Sequence, residues 1–166
     1  MTWTRIKGMR FFVLAMAICL SQPACSASSS GFRNGPANLL NQVSKEHVEN
    51  MKIRIKLENK VLTATLIDSK TARDFVSLLP LTLTLEDYAS TEKISDLLKR
   101  LSTEGAPSGS DPSVGDIAFY APWGNLAIFY QDAEYANGLI ILGKIDGDAA
   151  AFNVPGSMKV TIESVK

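Results

Sequence analysis

One histidine and two cysteines are the only imidazole and thiol groups that the 166 residues offer to nucleophilic, acid–base and metal chemistry. Their positions exclude a good deal more. His47 stands in a stretch rich in Ser, Asn and Gly, ahead of the part of the chain that carries a folding pattern. A histidine triad, a histidine-rich metal site and a histidine base inside a core are therefore ruled out by inventory. Cys19 lies within the apolar run 11–20 and leaves with it if that run is removed, so Cys25 has no partner, no disulfide is expected, and stability must come from packing. Charge of one sign is also lacking, with 17 basic against 17 acidic residues. Arg5, Lys7 and Arg10 precede the apolar run; without them 14 basic residues face 17 acidic ones, a net of minus three. No Lys/Arg block is interleaved with stacking aromatics, so nucleic acid is not an expected partner.

No hydrophobic run is long enough to cross a bilayer, which takes about 20 apolar residues. The run 11–20 follows a basic start and precedes the small residues Ala24-Cys25-Ser26-Ala27, so residues 1–27 read as a signal peptide. Two cleavage sites stay open. Cutting after Ala27 releases a soluble chain without cysteine, whereas cutting before Cys25 leaves its thiol at the new terminus as a lipidation candidate. Gln22-Pro23-Ala24-Cys25 matches a lipoprotein box only in part. Either way the chain is expected to be exported, to the periplasm, the cell envelope or the medium, with a lipid on Cys25 as its one route to a membrane.

Residues 28–50 read as a tether, with room for a short helix near 37–49. From Met51 the pattern changes. Met51, Ile53, Ile55 and Leu57 alternate with Lys52, Arg54 and Lys56; after Glu58-Asn59-Lys60 the residues Leu62, Ala64 and Leu66 alternate with threonines, which predicts an antiparallel hairpin. Ala72, Phe75, Val76 and Leu79 have helical spacing, with Thr71-x-x-Asp74 as a capping-box start and Pro80 as the stop. Leu81, Leu83 and Leu85 form a third strand. Ile94, Leu97, Leu98 and Leu101 fit a helix by spacing alone. Gly105, Pro107, Gly109 and Pro112 mark an exposed loop, and the runs 117–120, 126–130 and 139–145 are apolar on both faces, as strands covered on each side would be. A short helix carrying Ala150 and Phe152 and a last strand at Met158, Val160 and Ile162 complete the pattern. Seven or eight strands, two short helices and closely spaced turns predict one mainly β domain at residues 51–166, a closed antiparallel barrel.

The segment Gly115-Asp116-Ile117-Ala118-Phe119-Tyr120-Ala121-Pro122-Trp123-Gly124-Asn125-Leu126-Ala127-Ile128-Phe129-Tyr130 resembles the bacterial cyclophilin-like fold proteins, relatives in fold of the peptidyl-prolyl isomerases. Supporting segments are Thr71-Ala72-Arg73-Asp74-Phe75, Leu83-Thr84-Leu85-Glu86-Asp87-Tyr88 and Ser102-Thr103-Glu104-Gly105-Ala106-Pro107. The resemblance implies an eight-stranded barrel closed by two helices. It also implies a strand at 92–98, against the helical spacing there. The isomerases use an arginine on the strand after the first helix to weaken an amide whose rotation barrier is about 18–20 kcal/mol. No arginine lies between Arg73 and Arg100, no glutamine lies in 126–130, and the tryptophan and histidine expected before residue 139 are replaced by Glu134-Tyr135-Ala136-Asn137-Gly138. Isomerase activity is thus the weaker expectation, and a non-catalytic binder of a peptide or small molecule the stronger.

The binding candidates are Tyr120, Trp123 and Asn125, with Phe129, Tyr88 and Glu86 beside them. An exposed indole between Pro122 and Gly124 gives a large contact area at low entropy cost; the plainer account is a hairpin cap. Phe129 also reads as core, and Glu86, Asp87 and Glu104 as solvated strand ends. Asp146-Gly147-Asp148 lacks the other ligands of a calcium loop and reads as a turn with a helix cap. Gly105-Ala106-Pro107-Ser108-Gly109 has no serine at the centre of a nucleophile elbow. No catalytic residue, metal site or cofactor is expected.

Overall fold

In the computed structural model residues 51–165 are described; the expected leader and tether, with Cys25 and His47, lie outside the described residues. The alternation that opens the domain becomes strands β1 (Lys52–Lys56) and β2 (Val61–Leu66), which bury one face each and pair with Ile53 opposite Ala64. Helix α1 (Lys70–Val76) follows. It begins earlier than the expected capping box, because Ser69 is the N-cap and accepts from the Ala72 N–H. Thr71 and Asp74 are used elsewhere: the Thr71 hydroxyl donates to the Ser102 carbonyl at 2.7 Å and the Asp74 carboxylate accepts from the Ser102 N–H at 2.8 Å. The helix is thereby tied to a distant loop, which suits a segment too short to hold itself together.

The chain continues through β3 (Leu81–Tyr88), β4 (Glu92–Asp96), β5 (Gly109–Ser110), β6 (Asp116–Tyr120), β7 (Asn125–Phe129), β8 (Ala136–Asn137), β9 (Leu139–Ile145) and β10 (Met158–Ser164). Eight of these close into an antiparallel barrel in the order β1-β10-β3-β4-β7-β6-β9-β2, and β5 pairs with β8 as a small separate ribbon. The expected second helix is a four-residue 3-10 turn, Ala149–Phe152, capped by Asp148, whose carboxylate accepts from the Ala150 N–H at 2.8 Å. Residues 92–96 are strand, as the resemblance implied and the spacing of the leucines did not. The barrel interior is filled by inward residues such as Ile53, Ile55, Leu85, Leu126, Ile128 and Ile162, with Phe75 and Phe152 both fully buried.

Two features of the barrel wall stand apart from its interior packing. A second apolar cluster lies on the outside of the wall, where Ala118, Ala127, Phe129 and Leu139 are covered by neighbours that include Tyr120, Ala133 and Ala136. The runs around β6, β7 and β9 are apolar on both faces because both faces are covered. The other feature is a charge inside the core. Lys93 has no exposed side-chain surface; its ammonium group bonds the Val154 carbonyl at 2.5 Å, the Gly156 carbonyl at 2.7 Å and the Asp87 carboxylate at 2.8 Å. The Tyr130 hydroxyl and the Gly156 N–H donate to the same carboxylate. Asp87 is therefore not a freely solvated strand end: this ion pair fastens the 154–156 loop over β3 and β4, and the Lys93 bond holds its carboxyl below the usual range.

Candidate ligand-binding site

The site begins with a turn. Between β6 and β7 the chain reverses through Ala121-Pro122-Trp123-Gly124, where the Gly124 N–H donates to the Tyr120 carbonyl at 2.8 Å and Gly124 adopts φ +80°, a region open to glycine at no steric cost. Arg100 braces the reversal by donating to the carbonyls of Ala121 at 2.6 Å and Pro122 at 3.1 Å. On its other flank Gly138 lies so close to Pro122 that a Cβ there would come within 2.8 Å of its Cδ. A turn held from two sides presents Trp123 with 54% of its surface exposed.

Around the indole stand two tyrosines at nearly right angles. The Tyr120 ring centre is 5.3 Å from that of Trp123 with the planes 83° apart, and Tyr88 is 5.4 Å away at 88°. Strand register explains how residues so far apart in sequence meet. Tyr120 sits opposite Asn125, Tyr88 opposite Glu92, and Glu92 opposite Phe129. Asn125 and Glu92 thus mark two ends of the β4–β7 ladder, roughly 13 Å apart by strand rise, and Tyr88 and Trp123 reach toward each other over the space between.

Beneath them is a cavity of ≈ 280 Å³, lined by Tyr88, Glu92, Tyr120, Trp123, Asn125 and Phe129 together with Thr91, Ala89, Leu139 and the loop residues Pro112, Ala133, Glu134 and Ala136. Asn125 is 2% exposed and its Oδ1 has no hydrogen-bond partner, the only such buried side-chain atom among the described residues. Its Nδ2 reaches the Leu126 carbonyl only at 3.5 Å. A larger hollow of ≈ 860 Å³ lies between the β1–β2 turn and β10, lined by Lys56, Lys60, Met158 and Lys159 among others. It contains none of the sequence candidates and no unpartnered buried polar atom.

Five of the six candidates therefore share one cavity. Glu86 does not: it is exposed on β3, opposite Ile94, and the carboxylate that faces the cavity is Glu92. Glu92 escaped the sequence reading because helical spacing at 94–101 obscured the β3–β4 hairpin that sets it beside Tyr88. Burial drives its pKa from 4.5 up to about 7.

Between 4.5 and about 7 the folded chain holds a proton on Glu92 that the unfolded chain has released, so stability falls as pH rises through this window and the full cost is present above it. Replacing Glu92 by Gln is expected to stabilise the fold at about pH 8, by about 1–2 kcal/mol after allowing for the solvent that reaches this half-buried carboxyl, and to change little at about pH 4. Urea midpoints of both proteins at the two pH values measure the effect; equal gains at both would mean that Glu92 is not the titrating group.

Comparison with known proteins agrees with the architecture. The chain shares 19% identity with the hypothetical protein AF2241 from Archaeoglobus fulgidus, known from its solution structure, over 69% of this chain and 95% of that one, with a TM-score of 0.55. At that identity the likeness speaks for the fold alone. No curated protein matches the sequence. A family model described as the Cyclophilin-like family matches residues 55–163, from the end of β1 nearly to the end of β10, with every other strand of the barrel between them. The chain belongs to the cyclophilin-like family.

Proposed function

We propose that the protein is an exported, small-ligand-binding module of the cell envelope that performs no chemistry on what it binds. The observation that carries the reading is the Asn125 Oδ1, a buried acceptor left without a donor at the wall of an aromatic cavity. Leaving such a group unmet costs about 1–3 kcal/mol, and a donor on a ligand removes that cost. Cavities of this kind, mostly apolar with a few fixed polar groups, are where small molecules bind.

The alternative, a weak prolyl isomerase, finds less support. β3 offers Thr, Leu, Glu, Asp and Tyr where an isomerase of related fold has its arginine, and Arg100, which lies nearest the Trp123 turn, has its guanidinium committed to the carbonyls of Ala121 and Pro122. Export rests on the basic start and apolar run of residues 1–27, and Cys25 is the place for a lipid anchor.

Trp123 is its own reporter once Trp3 is replaced by Phe. Titration with peptide and metabolite mixtures is expected to give a saturable change in its emission for one ligand class, and Tyr88→Ala should weaken that response about tenfold. A protease-coupled assay on a proline tetrapeptide is expected to run at the buffer rate. Emission unchanged across every mixture, or catalysed isomerisation that Trp123→Ala abolishes, would count against the reading.

A further inference from the structure

If the cavity binds a small ligand, its walls restrict the chemistry of that ligand. Glu92 and Glu134 are the only charged residues lining it; no Lys or Arg among the described residues does so. An anionic guest would meet two carboxyl groups and no counter-charge. A neutral polar guest would use Asn125 but would leave the ring cluster with nothing that exploits its charge distribution.

The rings favour a cation. Aromatic faces carry negative potential, and organic ammonium ions are held where several rings converge within about 6 Å. Trp123 meets both Tyr120 and Tyr88 edge to face instead of stacking, and each such contact occupies a face of only one of its two rings. Ring faces therefore remain for a guest. The partial exposure of Trp123 and Tyr88, at 54% and 43%, leaves a way in.

We infer that the cavity takes a small organic ammonium ion that also carries a hydrogen-bond donor, its charge held among Tyr88, Tyr120 and Trp123 beside Glu92 and its donor placed on the Asn125 Oδ1. This rests on the binding reading above and narrows it. Asn125 and Glu92 stand at opposite ends of the ladder, so the guest carries its donor and its charge at different ends, and the cavity of ≈ 280 Å³ limits it to a compact molecule. A simple cation without a donor fills the cage and leaves Asn125 unmet.

The arrangement also makes binding depend on pH. The groups around Glu92 are Tyr88 across β3, Phe129 and Tyr130 on the β7 side, and Tyr120 and Glu134 on the cavity wall. Tyr130 is raised by its own burial and by Asp87, with Glu92 adding a smaller push, so it stays neutral where Glu92 titrates. Lys93, next along β4, is held on the opposite face by Asp87, Val154 and Gly156 and supplies no charge to the cavity. A bound cation favours the ionised Glu92, so the free protein must give up a proton to bind, and affinity falls by up to tenfold for each unit of pH below about 7.

The test uses choline as probe, with its uncharged carbon analogue, in which carbon replaces nitrogen, and tetramethylammonium as comparisons, in amine-free buffer. Calorimetry on the full chain and Trp123 emission in the Trp3→Phe protein read the binding. Choline is expected to bind about tenfold or more tightly than its carbon analogue and more tightly than tetramethylammonium. Glu92→Gln is expected to lower choline affinity about tenfold and to flatten its pH dependence, and Asn125→Ala to remove the preference over tetramethylammonium. The comparison of choline with its analogue needs no variant and survives if a substitution unfolds the protein. Equal affinity for the two overturns cation recognition while leaving a binding cavity in place. Silence toward choline together with saturable binding of uncharged or anionic metabolites does the same. Silence toward all of them, charged and uncharged, removes the binding reading as well.

Discussion

Replacing Lys93 by alanine is expected to lower the free energy of unfolding by about 3–5 kcal/mol, the range seen when one partner of a buried ion pair is removed. The ammonium group has no exposed surface and binds one carboxylate and two main-chain carbonyls, so truncation removes three bonds at once and leaves a void in their place. Lys93→Met keeps most of the volume and separates lost packing from lost charge; it should retain most of the deficit if the unmet acceptors are its source. The Asp87 carboxyl is held below its ordinary value of 3.8 mainly by Lys93, against the opposing effect of burial. Its contribution is present above 3.8 and is lost as pH falls through the lowered value, so the gap between wild type and Lys93→Met should narrow in strong acid. A double variant, Asp87→Asn with Lys93→Met, should cost less than the sum of the single ones, because the two side chains share one interaction. Chemical denaturation measures wild type and all four variants at neutral pH, and wild type against Lys93→Met in strong acid as well. A loss below about 1 kcal/mol for Lys93→Ala would mean that the 154–156 loop opens easily and lets water replace the ammonium.

The same residue shows where reading the sequence stops. β1, β2, β3 and β10 were legible because their inner and outer faces differ in kind: Ile53 and Ile55 are fully buried while Lys52, Arg54 and Lys56 are not. β4 was not legible, since its inward position is a lysine, which any hydrophobic pattern counts as surface, and the leucines after it mislead. Leu98 fits a helical face by spacing but is 98% exposed, while Leu101 is 5% exposed. Only the resemblance to a barrel family supplied the strand. The site was half visible for a related reason. Tyr120, Trp123 and Asn125 lie within six residues of one another and announce a turn with an aromatic on it, whereas Glu92 joins them through two strand pairings that no local pattern encodes. Choosing Glu86 placed the acid on the correct face of β3, but in solvent.

Removing the aromatic plugs should show that the barrel is one cooperative unit. α1 leaves from the C-terminal end of β2 and the 3-10 turn from the C-terminal end of β9, and these two strands run antiparallel, so Phe75 and Phe152 enter the core from opposite ends. Both are fully buried within a single cluster that also holds Ile53, Leu85, Leu126 and Ile162. Phe75→Ala and Phe152→Ala are each expected to cost about 3–5 kcal/mol, the transfer of a phenyl group plus the cavity it leaves. If the two ends act independently their costs add, so the double variant should lose roughly 6–10 kcal/mol, which is most of the stability of an ordinary domain. It is therefore expected to be unfolded at room temperature, with a flat calorimetric trace, while each single variant still melts in one transition. The ligand cavity gives an independent reading of the same claim. It lies on the outer face of the wall, against Phe129 and Leu139, and touches neither plug. A single plug variant that remains folded should keep the cavity and the Trp123 environment intact. A shifted Trp123 emission in folded Phe75→Ala would mean that the inner and outer faces of the wall are mechanically coupled, and a double variant that melts like either single one would mean that the two ends of the barrel share one plug.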